Sequence, residues 1–417
     1  MQSNKKLVVI GGGAAGFFTA INAATFYPWL QVTIVEKTSK LLSKVKVSGG
    51  GRCNVTHACF ENTALIKNYP RGSFFLKNLF PQFNTTDTIQ WFEKKGIRLK
   101  TETDGRMFPE SNTSQTIIDC FLNEVNRLKI EVQMNAEVKA LNVSASTSPD
   151  ERKFTIEFQN KKTLTADFIC VACGGFSKVN YFDWLVQTGH SFEMPVPSLF
   201  TFNMPKHPIT ALMGISVPEV KVKIAGTKLV QTGPLLITHW GLSGPVILKL
   251  SAWAARDLAL ANYSFTLIIN WLPNYHEKSL NEKMQQLRFE IAAQKIYNRN
   301  PFNLPARLWE YFLHECGIAE NIRWADLPSK EQNKLIKILC VQECMVSGKT
   351  TFKEEFVTAG GIQLNEINPS AMESKIVKGL FFAGEILNID GITGGFNFQN
   401  AWTTGWIAAK GMGIKHT

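Results

Sequence analysis

The first apolar run of the chain is short and continuous, Leu7 to Ile10, and rich in Val and Ile. Such a run predicts a strand buried on both faces of a parallel sheet. Glycines follow at once, and Ala14 to Phe26 continues as a predicted helix. Gln31 to Val35 predicts the second strand, ended by Glu36. Further on, Ile117, Ile118, Phe121, Leu122, Val125 and Leu128 recur at helical spacing and predict an amphipathic helix. Val132, Met134, Ala136 and Val138 alternate with polar residues and predict one strand. Phe154 to Phe158 and Leu164 to Val171 flank Asn160-Lys161-Lys162-Thr163, the pattern of a hairpin. Its second arm runs into Ala172-Cys173-Gly174-Gly175, another strand-to-glycine turn.

The pattern changes after about Met194. Pro195, Pro197, Pro205, Pro208 and Pro218 punctuate short apolar runs, and Val220 to Ile224, Leu229 to Thr238 and Ser264 to Trp271 predict antiparallel strands. From Leu280 to Gln342 the periodicity is helical, with Leu287, Ile291, Ile296, Leu308, Phe312, Leu335 and Leu339 among charged residues. Short strands are expected again from Phe352 to Thr358, and Leu380 to Ala383 is a last apolar strand before Gly384. No internal repeat or low-complexity tract interrupts this order.

Chemistry enters at the glycines. Gly11, Gly13 and Gly16 form G-x-G-x-x-G between a predicted strand and a predicted helix. In that setting the first glycine makes the turn, the second lets the backbone approach a pyrophosphate, and the third lets helix and strand pack closely. The helix N-terminus then attracts the anion. Glu36 follows Gly16 by twenty residues, where an acid binds ribose hydroxyls and disfavours a 2′-phosphate. A second glycine-rich segment lies near the other end: Gly384-Glu385, then Gly391-Ile392-Thr393-Gly394-Gly395-Phe396-Asn397. A plain nucleotide-binding domain needs only the first segment. Two such segments imply a chain that leaves, builds something else and returns to close around a long dinucleotide, as FAD is often held. The acid after Gly384 suits the ribityl chain, and a helix opening at Gly394-Gly395 suits the pyrimidine end of a flavin.

The chain has 417 residues, long enough for two or three domains. Its net charge of +11 invites a nucleic-acid reading, but Lys and Arg are spread without a long basic tract, so a solvated surface is the expectation. One local cluster stands out, Lys37, Lys40, Lys44, Lys46 and Arg52, and is expected to face phosphates or an anionic substrate. Lys5-Lys6 before the uncharged stretch Leu7 to Leu30 imitates an export signal or membrane span. The glycine cluster inside it points instead to a buried nucleotide fold, and no membrane association is expected. The eight cysteines are expected as free thiols in a cytoplasmic protein. Cys170-x-x-Cys173 lies on a strand whose alternation sends its two thiols to opposite faces, so no metal site is expected.

Ser48-Gly49-Gly50-Gly51-Arg52-Cys53-Asn54 is read as a loop passing close to a ligand. With the segments already named, with Gly105-Arg106-Met107-Phe108-Pro109, with Thr238 to Pro245, and with Thr358-Ala359-Gly360-Gly361, this chain resembles the bacterial BaiN/YhiN-type FAD-dependent oxidoreductases. The resemblance runs nearly end to end. It departs at Phe176 to Tyr181, where the family often continues with Gly and Ser. It implies an α/β fold: a Rossmann-like FAD domain from both chain ends (1–194 and 358–417), an inserted antiparallel β-barrel-like domain (195–274 and 343–357) and a small helical insertion (275–342).

The expected FAD contacts are Gly11, Gly13, Ala14, Ala15, Gly16, Glu36, Lys37, Lys44, Gly50, Gly51, Arg52, Cys53, Asn54, the backbone at Val138, Ala172, Cys173, Gly174, Gly384, Glu385, Gly394, Gly395, Phe396 and Asn397. The candidate catalytic residues are Arg52, Asn54 and His239, with His239 as a proton carrier. Cys53 beside Arg52 is weighed as a redox thiol, without an evident resolving partner. The expected reaction is hydride transfer through flavin N5 to or from a small organic substrate, as enone reduction or as amine- or alcohol-type oxidation. The alternatives are a flavoprotein that modifies or binds RNA, or a flavin sensor without turnover. No second strand-linked G-x-G-x-x-G is present, so NADH or NADPH would act only as a transient donor. Substrate identity and oligomeric state have no visible signature.

Overall fold

A computed structural model describes residues 5–144, 153–351 and 357–413. The chain divides into two compact units, 1–198 with 353–417, and 199–352. In the first, β1 (Lys6–Ile10) leads through α1 (Ala14–Phe26) to β2 (Gln31–Val35). α2 (Ser43–Gly51) follows, its last turn broken at Ser48–Gly50. Then come β3 (Thr56–His57), α3 (Thr85–Glu93), β4 (Leu99–Thr101), β5 (Arg106–Pro109) and α4 (Gln115–Arg127). β6 (Glu131–Gln133), β7 (Val138–Val143), β8 (Phe154–Phe158), β9 (Thr163–Ala166), β10 (Phe168–Val171) and β11 (Phe192–Ser198) complete this half.

The second unit holds β12 (Thr201–Asn203), β13 (Ser216–Ile224), β14 (Val230–Thr238), β15 (Gly241–Ser243), α5 (Pro245–Trp253) and β16 (Ser264–Asn270). Three helices follow, α6 (Glu277–Glu290), α7 (Ala306–Cys316) and α8 (Ser329–Val341), then β17 (Gln342–Ser347) and β18 (Lys349–Thr350). Its strands run in the order β17-β16-β13-β14-β15-β12-β18. The strand-rich and helical stretches expected as separate parts share one core. Leu280, Leu308 and Leu339 from the helices join Val222, Ile237 and Leu267 from the strands, all of them buried. The reason is amphipathicity: each helix has one apolar face, and the sheet supplies the surface that covers it. The expected boundaries after 194 and before 358 accordingly fall after 198 and before 353.

The chain returns to the first unit through β19 (Val357–Ile362), β20 (Ile367–Asn368), β21 (Glu373–Ser374), β22 (Leu380–Phe382) and α9 (Phe396–Gly411). β19 pairs antiparallel with β11. Of the strand expected from Phe352 to Thr358, positions 352–356 lie outside the described residues, and Val357 and Thr358 belong to β19. Among the described residues, seven strands form the main sheet in the order β20-β21-β22-β10-β1-β2-β6. β22, β10, β1, β2 and β6 are mutually parallel. The turns after Ile10, Val171 and Phe382 therefore share one edge of the sheet, where open α/β sheets bind their ligands.

Two expected strands are each split. Val132 to Val138 was expected as one strand, but β6 belongs to the parallel sheet and β7 to a small antiparallel sheet with β8 and β9. Between them Ala136 N–H donates to Glu36 O (2.8 Å), which bends the chain around the end of β2. The arm Leu164 to Val171 breaks at Asp167, whose carboxylate accepts from Lys6 N–H at 2.7 Å. β9 completes the hairpin, while β10 enters the parallel sheet.

α1 is buried on nearly every side. Its polar residues satisfy themselves: Thr19 Oγ1, Asn22 Nδ2 and Thr25 Oγ1 each donate to the carbonyl four residues back (2.7–2.8 Å). Phe18 stands 4.5 Å from Trp91 of α3 and 5.1 Å from Trp402 of α9, and Phe121 of α4 lies 5.7 Å from Trp402 (ring centroids). This aromatic layer holds α1, α3, α4 and α9 together over the sheet.

Candidate functional site: a cleft closed by both chain ends

The first wall is the turn from β1 to α1. Gly11 N–H donates to Val35 O at 2.8 Å, tying the turn to the end of β2. A Cβ on Gly16 would lie 1.9 Å from Gly11 O, so only glycine lets the helix cross the turn this closely. Gly13 begins α1 with open space where a side chain would project. No side chain caps the helix and no acid stands in its first turn, which leaves its N-terminal N–H groups and dipole for an anion. The Glu36 carboxylate turns back over this loop, accepting from Gly12 N–H (2.8 Å), Thr38 N–H (2.9 Å) and Thr38 Oγ1 (2.9 Å). Ala14 and Ala15 form the first turn of the helix, and Ala15 is the residue that Gly384 approaches. Lys37 lies over the Tyr181 ring (5.7 Å), and Val138 starts β7 just beyond the crossing behind β2.

The second wall comes from the C-terminal half. Ala172 N–H donates to Ile10 O (2.8 Å) and Ala383 N–H to Val171 O (3.0 Å), so the three strand ends are laced together. Glu385 is clamped: Oε1 accepts from Thr358 N–H (2.9 Å) and Oε2 pairs with Lys44 (2.7 Å). Lys44 and Glu385, each expected to touch the cofactor, thus hold each other across the two halves of the chain. Gly174 has open space beside it, and Thr358 Oγ1 is buried without a hydrogen-bond partner among the described residues.

The third wall is the N-terminus of α9, which opens at Gly395 with no side-chain cap from its own residues and no acid in the first turn. Gly395 is left-handed (φ 96°), and a Cβ there would lie 2.6 Å from the Thr56 carbonyl. Four consecutive residues hold this end. Asn54 Oδ1 accepts from Gly395 N–H (3.0 Å) while its nitrogen donates to Thr56 O (2.9 Å), the amide orientation that satisfies both. Val55 O accepts from Trp402 Nε1 (2.9 Å). Thr56 Oγ1 donates to Gln399 Oε1 (2.7 Å), and His57 Nδ1 meets Gly394 O (3.1 Å). Asn54, expected as catalytic, is therefore nearly buried and positions a helix. Asn397 likewise closes the preceding loop, its amide bonding Gly391 N–H (2.8 Å) and Gly391 O (2.9 Å). Phe396 is buried against His57 (4.7 Å between centroids). Asn400 Oδ1, further along α9, is buried without a partner among the described residues.

Gly49 and Gly50 are left-handed (φ 59° and 69°), and Gly51 follows (φ 84°). Arg52 extends from this loop over the Phe108 ring (4.0 Å) to Glu102 (2.5 Å). Cys53 is fully buried, and burial pushes its thiol up to about 12. Cys173 is pushed up to about 12 by the same cause. A protonated, inaccessible thiol is neither nucleophile nor redox centre, so Cys53 is not the redox thiol weighed above. His239 belongs to the second unit, in the turn between β14 and β15 with its ring 3.9 Å from that of Trp240. It is not among the residues that the first unit gathers.

Sequence reasoning missed a buried clamp behind the last glycine loop. Arg71 Nε and Nη2 both donate to the Asp390 carboxylate, which is fully buried, and Ser198 Oγ donates to Asp390 Oδ2 (2.8 Å). Burial raises the Asp390 pKa and the guanidinium opposes it. Tyr69 Oη donates to Phe396 O (2.7 Å), and Ile392 N–H to Asn68 O (2.9 Å). Only the spacing of His57 and Tyr69 close behind Asn54 could have drawn attention to them. Nothing local marks Asp390.

Two helix N-termini with no acid in the first turn, a carboxylate over the first glycine turn and buried polar atoms without partners among the described residues fit a dinucleotide. The family model described as "HI0933-like protein Rossmann domain" matches residues 5–411. A "Ribosomal RNA dihydrouridine synthase" of Escherichia coli is 30% identical over 97% of this chain and 97% of its own length. A "3-dehydro-bile acid delta(4,6)-reductase" of Clostridium scindens is 27% identical over 97% of this chain and 98% of its own. The solved 3-ketosteroid delta1-dehydrogenase of Sterolibacterium denitrificans is 11% identical, covers 97% of this chain and 99% of that one, and has a TM-score of 0.52, a likeness of fold. No helix among the described residues is long and apolar enough to cross a membrane. The chain belongs to the HI0933-like protein Rossmann domain family, and it is a flavoprotein oxidoreductase.

Proposed function

We propose that this enzyme reduces a carbon–carbon double bond conjugated to a carbonyl, with FAD in the cleft of the first unit and NADH or NADPH as a transient donor. The observation that carries the reading is the pair of helix N-termini, α1 and α9, that open on glycine with no acid in the first turn. Support for the bond type comes from the two curated relatives: a 3-oxo compound unsaturated at positions 4 and 6 and a uracil ring both present a C=C conjugated to C=O. FAD supplies, when bound, the hydride carried by N5 of its reduced ring. The first turn of α1 would hold the pyrophosphate and Glu36 the ribose. The α9 N-terminus would offer partial positive charge to a bound flavin ring. Arg52 would offer its remaining N–H donors to the substrate and so orient it beside the flavin.

The test is an anaerobic titration of the FAD-loaded protein with NADH and then NADPH, followed by enone acceptors. Bleaching of the flavin band by a donor and its return on adding the enone is the expected result. A band that no donor bleaches would count against a reductase.

A second reading takes the uracil ring of ribosomal RNA as the acceptor. It is favoured by the name of the Escherichia coli relative and by the net charge of +11. Dihydrouridine in nucleosides digested from treated ribosomal RNA, with no turnover of steroid enones, would select it.

A further inference from the structure

Two segments far apart in sequence, the glycine loop ending at Arg52 and the strand β5, form one side-chain cluster, of which the reading above uses Arg52 alone. Phe108 of β5 is fully buried. The Arg52 guanidinium lies 4.0 Å from its ring centroid and that of Arg106 lies 5.5 Å from the same centroid. A Cβ on Gly49 would lie 2.7 Å from the ring, so the glycine loop wraps the aromatic closely. One carboxylate serves both arginines: Glu102 Oε1 accepts from Arg52 Nη1 (2.5 Å) and Oε2 from Arg106 Nη2 (3.1 Å). Asp104 accepts from Arg106 Nε (2.7 Å). Both side chains remain about a third exposed, 32% for Arg52 and 38% for Arg106. Arg52 Nη2 and Arg106 Nη1 make no hydrogen bond among the described residues.

The cluster also has an address. β5 pairs with β3 so that Arg106 stands opposite His57, and His57 meets Gly394 O at the entrance to α9. The arginine pair thus flanks the end of the cleft where the flavin ring is expected. Pairs this exposed contribute little to folding, so stability is a weak reason for the arrangement. Stacking on Phe108 and the shared carboxylate do something else: they hold two guanidinium planes and leave one nitrogen of each without a hydrogen bond among the described residues. A fixed guanidinium edge matches the oxygens of a phosphate or carboxylate.

We propose that Arg106, together with Arg52, receives an anionic group carried by the substrate, phosphate or carboxylate, and that Glu102 keeps the two forks in register until it arrives. This rests on the reductase reading above and names its substrate class: acceptors that bear a negative charge beside the reducible ring. It makes Arg106 a specificity residue.

The experiment uses the FAD-loaded protein and two pairs of probes. One pair is uridine and uridine 5′-monophosphate; the other is a 3-oxo-4-ene steroid with and without a side-chain carboxylate. Binding is followed by calorimetry. The charged member of one pair should bind more tightly, and the pair that shows this identifies the source of the anion. Arg106→Ala should weaken the charged probe about tenfold and leave the neutral one unchanged. Arg106→Lys, which keeps the charge without the fork, should fall between. Glu102→Gln, which removes the competing carboxylate, should widen the preference. Absence of a charge preference in both pairs would overturn the proposal. So would equal weakening of charged and neutral probes by Arg106→Ala, the mark of a structural role. A charge preference in a protein that reduces neither ring would leave the anion site standing and sink the reductase reading.

Discussion

The N-termini of α1 and α9 do the same electrostatic work by opposite means. α1 is set by its immediate neighbourhood: Gly11 N–H reaches Val35 O, and the helix passes over Gly11 O at Gly16. The residues of these two contacts lie between 11 and 35. α9 is set from far away: Asn54, Val55, Thr56, His57 and Tyr69 each bond a residue between 394 and 402. One anion-attracting end follows from local turn geometry; the other is a clamp across more than 300 residues of chain, as for Tyr69 and Phe396 at a separation of 327. The local end is lost most directly by changing the turn. The clamped end can be lost through residues that never approach the cofactor.

Gly16→Val should have the largest effect, because the new Cβ meets the Gly11 carbonyl at 1.9 Å and backbone cannot rotate away. A cost on the order of 3 kcal/mol or more is expected, with loss of FAD. Flavin absorbance per mole of protein after gel filtration measures it, and full retention would break the local account of α1. Arg71→Ala comes next. It leaves the fully buried Asp390 carboxylate with Ser198 as its remaining donor, a change worth about 3–5 kcal/mol. Urea unfolding reads the loss, which should be attended by weaker FAD binding because the 391–395 loop is freed.

Gln399→Leu sharpens the comparison. It strands the buried hydroxyl of Thr56, which donates to Gln399 Oε1 (2.7 Å), while Thr88 Oγ1, 3.0 Å from the same oxygen, keeps the Asn84 carbonyl (3.1 Å). About 1–3 kcal/mol is expected. Amide exchange should accelerate in α9 and stay unchanged in the turn before α1; equal acceleration in both would mean the two ends are not independent. The smallest effect is a pH dependence at His190, whose ring nitrogens meet Thr188 Oγ1 (2.8 Å) and Ser374 Oγ (2.7 Å). Burial lowers its pKa below the ordinary 6.5, with Glu366 opposing. The unfolded chain then binds more protons than the folded one just below 6.5. Stability is complete above that value and is lost as pH falls toward the depressed folded pKa. Urea midpoints on either side of 6.5 should fall on the acid side, and His190→Gln should flatten the fall.

What the sequence determined is what contiguous residues can express. The run Leu7–Ile10, the three spaced glycines and the helix to Phe26 form one strand–turn–helix, because each step is a backbone geometry within a few residues. Glu36 was legible for the same reason, standing where β2 ends. The two glycine-rich segments were enough to imply that both chain ends meet, since neither alone closes a dinucleotide site. Alternation read as one strand from Val132 to Val138 failed, because a period of two does not record which sheet each half joins. The helices of 275–342 did not stand apart, because an apolar face in sequence does not say which surface covers it. Only the tertiary structure decided that Asn54 and Asn397 hold backbone, that Lys44 and Glu385 hold each other, and that Arg71 pairs with Asp390. A side chain's role is set by the partner it meets. When that partner is 319 or 341 residues away, as for Arg71 and Lys44, packing rather than spacing selects it.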